Sequence, residues 1–150
     1  MLKARDIMTR ELITVSPGTE ITHAAKLLIE KGINGIPVVD EEKLVGIICQ
    51  GDLIVQQKRM PIPSLFTLLD GFIPLKTPKH FEREIQKIAA TTVDKVMTPD
   101  PVTIGPDTSI EDIASLMVDK NIHTLPVVDG KKLVGIVGKE DILRTLMPSS

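Results

Sequence analysis

The sequence predicts an α+β fold in which two repeats of strand, helix, strand, strand and helix (βαββα), related by an approximate two-fold axis, pack as one module. Three observations carry that reading: an ungapped internal repeat, the same order of apolar patterns in both copies, and a repeat length too short to stand alone. Sliding the chain by 89 positions lays Ala4–Ile54 over Val93–Leu143 with 20 identities in 51 positions. Ordinary residue usage would give roughly three. Met8-Thr9 falls on Met97-Thr98, Thr14 on Thr103, Pro17 on Pro106, and Asp52 on Asp141. The organisation is therefore a first motif over 1–58, a connection over 59–92 and a second motif over 93–150.

Leu12–Val15 and Pro101–Ile104 are short β-rich runs closed by Ser16-Pro17 and Gly105-Pro106, and are expected to be strands. A helix follows in each copy. In the first, Ile21, Ala24, Ala25, Leu27 and Leu28 recur at helical spacing and Lys31-Gly32 supplies the stop. In the second, Thr108-Ser109-Ile110-Glu111 has capping-box spacing ahead of Ile110, Ile113, Ala114, Met117 and Val118. Ile36–Val39 and Leu125–Val128 then end in the turns Asp40-Glu41-Glu42 and Asp129-Gly130-Lys131. The continuous apolar runs Leu44–Ile48 and Leu133–Val137 fit strands covered on both faces. A last helix opens near Gly51-Asp52 or Glu140-Asp141, with Leu53, Ile54, Ile142, Leu143 and Leu146 expected to face inward.

A unit of about 55 residues is marginal alone, because small domains bury too little of their surface. Pairing the copies predicts one core rather than two independent ones, and two equivalent clefts where they meet. Eighteen basic against twenty acidic residues give a net charge of −2. No stretch concentrates Lys and Arg as a nucleic-acid footprint would, which argues against DNA or RNA. Cys49 is the only cysteine, so an internal disulfide and a multi-cysteine zinc site are both excluded, in keeping with a reducing compartment. MLKARDIMTR lacks a signal-peptide apolar core and no run of about 18 apolar residues occurs, so the expectation is a cytoplasmic protein without a membrane span.

Both copies resemble the CBS motif, named after cystathionine beta-synthase, and the pair resembles a Bateman module. The resemblance rests on "IPVVDEEKLVGII" and "LPVVDGKKLVGIV", each followed by an Asp, and covers roughly 4–57 and 93–147. It implies a non-enzymatic regulatory module that binds AMP, ADP, ATP, S-adenosylmethionine or a similar adenosyl ligand and requires no cofactor or metal. It also implies disc-like homodimers and a separate effector protein.

The family pattern of Ser or Thr, two residues, then Asp reads Cys49-Gln50-Gly51-Asp52 and Gly138-Lys139-Glu140-Asp141 here. Asp52 and Asp141 are the implied ribose partners, since an ionised carboxylate accepts two hydrogen bonds from a cis-diol. Each is equally suited to cap its own helix. Cys49 and Gly138 lack the hydroxyl that contacts phosphate in relatives, which weakens the expectation for polyphosphates. Lys139 offers a charge that Glu140 opposes, while Gln50 and Gly51 are neutral, so the two sites are expected to differ. The resemblance places adenine against the backbone of Asn34, Gly35 and Ile36 in one copy and of His123, Thr124 and Leu125 in the other, and the His123 side chain is placed either to meet phosphate or to stay solvent-exposed or act as a cap. Thr14 and Thr103 are expected to complete the pocket, with Met8 and Met97 nearby serving as packing.

His23 and His80 have no companions at metal-ligand spacing. In the connection, Met60-Pro61-Ile62-Pro63 and Gly71-Phe72-Ile73-Pro74 are breaks, and 81–90 has the pattern of an amphipathic helix. Phe66, Phe72 and Phe81 there suit either an intermolecular contact or cover for the module's own edge. Two other classes remain open: an interaction module with vacant clefts, and an enzyme. The second is disfavoured because no nucleophile–base arrangement or Gly-rich phosphate loop is present.

Overall fold

The computed structural model describes residues 1–59 and 91–148. The predicted helix at 81–90 and the three phenylalanines lie outside those residues. In chain order the elements are α1 (Ala4–Ile7), α2 (Ile21–Lys31), β1 (Gly35–Asp40), β2 (Lys43–Cys49), α3 (Gln50–Arg59), a 3-10 turn (Val93–Lys95), β3 (Thr98–Pro99), α4 (Ile110–Asp119), β4 (Thr124–Asp129), β5 (Lys132–Gly138) and α5 (Lys139–Arg144).

Each copy is built on an antiparallel hairpin, β1–β2 and β4–β5, with equivalent register and an equivalent bulge after Val38 and Val127. The two-residue loop of the first hairpin holds Glu41 and Glu42 at φ 47° and 68°, the left-handed pair that a type I′ turn requires. Helix α2 stops where expected, on Gly32 at φ 61°. Helix α4 is capped by Ser109, whose hydroxyl accepts from the Asp112 N–H, one residue later than the capping-box spacing suggests. Thr108 instead accepts from the Gly105 N–H, closing a turn, as Thr19 does for Ser16.

The expected first strands, Leu12–Val15 and Pro101–Ile104, are each reduced to one parallel bridge, Val15 to Val38 and Ile104 to Val127. Val15 donates to the Pro37 carbonyl and accepts from Val39; Ile104 repeats this with Pro126 and Val128. Pro37 and Pro126 have no N–H to donate, and the Ser16 and Gly105 turns follow at once, so the ladder cannot extend.

Among the described residues the apolar interior forms two clusters rather than one core, and neither is independent. Val15, Ala24, Leu28, Ile36, Val38 and Ile48 are joined by Val93, with Val96 and Met97 against them. Ile104, Ile113, Leu125, Val127 and Val137 are joined by Ala4, with Ile7 and Met8 against them. Each copy is thus completed by the other's leading segment. Ala4 and Arg5 donate to the Thr108 and Pro106 carbonyls, and Val93 and Asp94 donate to those of Thr19 and Pro17. Thr9 pairs with Ile136, and Thr98 with Ile47.

Gly46 and Gly135 make the crossing possible. A Cβ on Gly135 would stand 2.5 Å from Met8 Sδ and 2.8 Å from its Cγ, and Met97 covers Gly46 in the same way. Strands β2 and β5 touch across the approximate two-fold axis. Of the side chains expected to face inward on the last helices, Leu53 and Ile142 pack against the two clusters. Ile54, Leu143 and Leu146 are instead exposed, because α3 and α5 lie against the hairpins along one side only.

Candidate functional site

Where the two copies meet, each last helix begins opposite the segment that precedes the other copy's proline-bearing strand. One cleft, of about 610 Å³, gathers Cys49 and Asp52 from the first copy and Thr98, Asp100, His123 and Thr124 from the second. The other, of about 210 Å³, gathers Asn34 and Gly35 from the first copy and Gly138, Asp141 and Arg144 from the second, with Thr9 between them. Asn34 and Thr124 line both, so they form the partition. Gly35 keeps that partition thin: a Cβ there would stand 3.1 Å from Cys49 Sγ and 3.2 Å from Thr124 Oγ1.

The two aspartates are held alike through one oxygen and differently through the other. Asp52 Oδ2 accepts from the Cys49 N–H at 2.8 Å, and Asp141 Oδ2 from the Gly138 N–H at 2.8 Å. Each thus caps its helix, with the acid at the third helical position reaching back to a free N-terminal amide. The next amides are also engaged, Gln50 N–H with the Asn34 carbonyl and Lys139 N–H with that of His123. Asp52 Oδ1 receives only the Thr98 hydroxyl among the described residues, at 3.2 Å. Asp141 Oδ1 receives the Arg144 guanidinium at 3.0 Å, and Asp141 is 8% exposed. A diol entering the first cleft displaces a neutral hydroxyl. In the second it competes with a charge-assisted bond, which is the stronger kind.

Cys49 ends β2 half-buried beside Asp52. Burial, and then the Asp52 charge, push its thiol up to about 11, so it is neutral at physiological pH and is a poor nucleophile. His123 is exposed in the larger cleft.

Of the residues singled out from sequence, Asp52, Cys49, Asn34, His123 and Thr124 come together in the larger cleft. Asp141, Gly138, Asn34, Gly35 and Thr124 come together in the smaller. Ile36 and Leu125 line neither, because strand alternation turns them into the clusters, where they are fully buried. Lys139 lines neither cleft: it is exposed, and its backbone N–H donates to the His123 carbonyl. Thr14 lies in a separate groove with Leu12 and the hairpin turn at 41–43, and Thr103 in one beside α4. Each precedes a residue whose side chain is buried, Val15 or Ile104, so each points the other way.

Thr98, Asp100 and Val55 in the larger cleft, and Thr9, Lys31 and Arg144 in the smaller, escaped the sequence reading. The available signal was the exact repeat of Met-Thr at 8–9 and 97–98, which lies outside the helix-and-hairpin pattern. Arg144 had none, since its repeat counterpart is Val55.

A family model for the CBS domain matches residues 4–58 and 93–148. The chain belongs to the CBS-domain family, as a tandem pair. The chloroplastic CBS domain-containing protein CBSX2 of Arabidopsis thaliana is 32% identical over 150 residues, covering 95% of this chain and 62% of that protein. The chain thus spans a little under two thirds of the length of this plant relative. CBS domain-containing protein YhcV of Bacillus subtilis is 31% identical over 142 residues, covering 95% and 84% respectively. Among solved structures, the CBS pair resembles CBSX2 in complex with AMP, with a TM-score of 0.72, 29% identity, and coverage of 97% and 96%. It also resembles the CBS domain pair of MJ0100 in complex with 5′-methylthioadenosine and S-adenosyl-L-methionine, with a TM-score of 0.71, 31% identity, and coverage of 97% and 100%. No helix among the described residues is long and apolar enough to cross a membrane.

Proposed function

We propose that this CBS pair is a regulatory sensor that binds an adenosyl ligand between its two motifs and performs no chemistry itself. The observation that carries this reading is the placement of Asp52 and Asp141, each lining an inter-motif cleft with one carboxylate oxygen left outside its helix cap, on Thr98 in the first and Arg144 in the second. The AMP complex of CBSX2 and the methylthioadenosine and S-adenosylmethionine complex of MJ0100 support it. The cleft at Asp52 is the primary site: its volume falls within the range of roughly 300–1,000 Å³ usual for ligand pockets, and the cleft at Asp141 falls below it.

A ligand spanning both copies favours one relative orientation of the two hairpins, and an effector on another chain reads the altered surface. Self-association is part of the proposal. Ile29 on α2 and Ile54 on α3 are 81% and 69% exposed, and their repeat counterparts Val118 and Leu143 are 79% and 56% exposed. Helix α2 touches α3 and α4 touches α5, and the proposal takes these exposed apolar side chains as the surface that meets a second module.

Thermal melting of the purified protein against AMP, ATP, S-adenosylmethionine and 5′-methylthioadenosine tests the sensor, since a ligand of the native state raises Tm by mass action. A rise abolished by Asp52→Ala supports it. No rise with any of them at millimolar concentration overturns it. The second reading, an interaction module with vacant clefts, is favoured at Asp141 by the Arg144 bond, and would then hold for both clefts.

A further inference from the structure

The two clefts descend from one repeat, and both have more acids than bases among their described lining residues, yet only the smaller holds Lys or Arg cations that could meet an anion. Among described side chains, the charged lining of the larger cleft is Asp52 and Asp100, with neither Lys nor Arg. The smaller cleft carries Lys31 and Arg144 beside Glu11, Glu140 and Asp141. The acids Glu11 and Asp100 are repeat counterparts, as are Asp52 and Asp141, so the acids common to both sites do not distinguish them. The counterparts Val55 and Arg144 do. Each lines its own cleft one turn into the helix that bears the aspartate.

Two backbone donors at the start of α3 are already engaged within the protein. The Cys49 N–H is taken by Asp52 itself and the Gln50 N–H by Asn34, so the positive end of α3 is already matched by a carboxylate. Position 49 offers a neutral thiol. A phosphate placed there would lose water, meet two carboxylates and gain no Lys or Arg among the described side chains. An uncharged group loses little, and a sulfonium gains.

Resting on the sensor reading, we infer that the Asp52 cleft selects adenosine bearing an uncharged or cationic 5′ substituent and rejects adenosine phosphates, with Val55 as the position that sets this selectivity. Phosphorylated ligands are left to the Asp141 cleft, where Arg144 exchanges its bond to Asp141 for one to phosphate.

The test is calorimetric titration of the full chain with 5′-methylthioadenosine, AMP and ATP, in the wild type, Asp52→Ala, Asp141→Ala, Val55→Arg and His123→Gln. In Asp141→Ala, where the larger cleft stands alone, methylthioadenosine is expected to bind at least tenfold more tightly than AMP or ATP. Val55→Arg is expected to strengthen AMP and ATP binding at least tenfold and to change methylthioadenosine binding less than threefold. Val55 is half exposed, so that arm keeps the test open if Asp141→Ala does not fold. His123→Gln removes the imidazole as a source of anion attraction and is expected to leave the preference intact. AMP or ATP binding Asp141→Ala within threefold of methylthioadenosine, or an unchanged preference in Val55→Arg, overturns the inference while the sensor reading stands. Absence of binding by all three ligands to the wild type removes both.

Discussion

The exchange of leading segments makes Gly135 the most informative single position in the fold. In Gly135→Ala the new Cβ meets Met8 at 2.5 Å from Sδ, 2.8 Å from Cγ and 3.2 Å from Cβ. Three atoms of one side chain are too near, and the closest of them is the part that moves most easily. Met8 can rotate its thioether away, but its Cβ is anchored by the Thr9–Ile136 bridge and the Met8 N–H to Ala4 carbonyl bond. Overpacking of this kind costs about 1–3 kcal/mol, offset by about 0.4–1 kcal/mol for the stiffer unfolded chain. The expected net loss is about 1–2 kcal/mol, or a Tm lower by roughly 2–8 °C at this size. The assay is urea unfolding of Gly135→Ala, Met8→Ala and the double variant. Met8→Ala removes the obstacle, so the cycle should show a favourable coupling of about 1 kcal/mol or more. A neutral Gly135→Ala, or purely additive losses in the double variant, would refute the crossing of the first segment onto the second hairpin.

Four further outcomes are expected. Replacing Glu41-Glu42 by Asn-Gly relieves two left-handed glutamates and raises stability by about 1–2 kcal/mol, read by urea midpoint. Arg144→Ala leaves the buried Asp141 with its cap bond alone and costs about 1 kcal/mol, discounted because the guanidinium is 66% exposed. The Cys49 thiol, raised from 9.0 to about 11, gives stability that is fully present below pH 9 and is lost as pH rises towards 11; at pH 8 its alkylation is about a hundredfold slower in the native than in the unfolded chain, measured with iodoacetamide. Ile29→Asp combined with Val118→Asp shifts the protein to a smaller species in analytical ultracentrifugation, whereas an unchanged sedimentation coefficient removes those patches from the self-association proposal.

What the residues disclosed of the fold was what local periodicity encodes. The helices at Ile21 and Ile110 follow from a period of 3.6, and both hairpins from continuous apolar runs broken by turn residues. Leu12–Val15 misled because β-rich composition describes a residue's preference and not the availability of a partner. A strand needs donors along its neighbour, and Pro37 and Pro126 deny them. The exchange of segments was invisible for a different reason. A repeat describes what each copy contains, and Ala4 and Val93 sit at equivalent places whether each serves its own cluster or the other's.

The same ambiguity governs the clefts. Reading each copy by itself brings Asp52 to Cys49 and Asn34 to Gln50, contacts that are local in the chain and recur in both motifs. Which pre-proline segment faces which aspartate is a property of the pair, and it sets His123 rather than Asn34 alone opposite Asp52. It also explains how two copies of one motif come to hold unlike sites. Core positions such as Pro37 and Pro126, or Val38 and Val127, pack into equivalent surroundings and stay identical in both copies. Val55 and Arg144 project from the rim of different clefts, where a change alters ligand contacts and leaves the clusters untouched. Divergence between the copies is therefore cheapest at the helix turn that lines a cleft, and a module of two fused copies can pair one cleft that has Val55 at that turn with another that has Arg144 there.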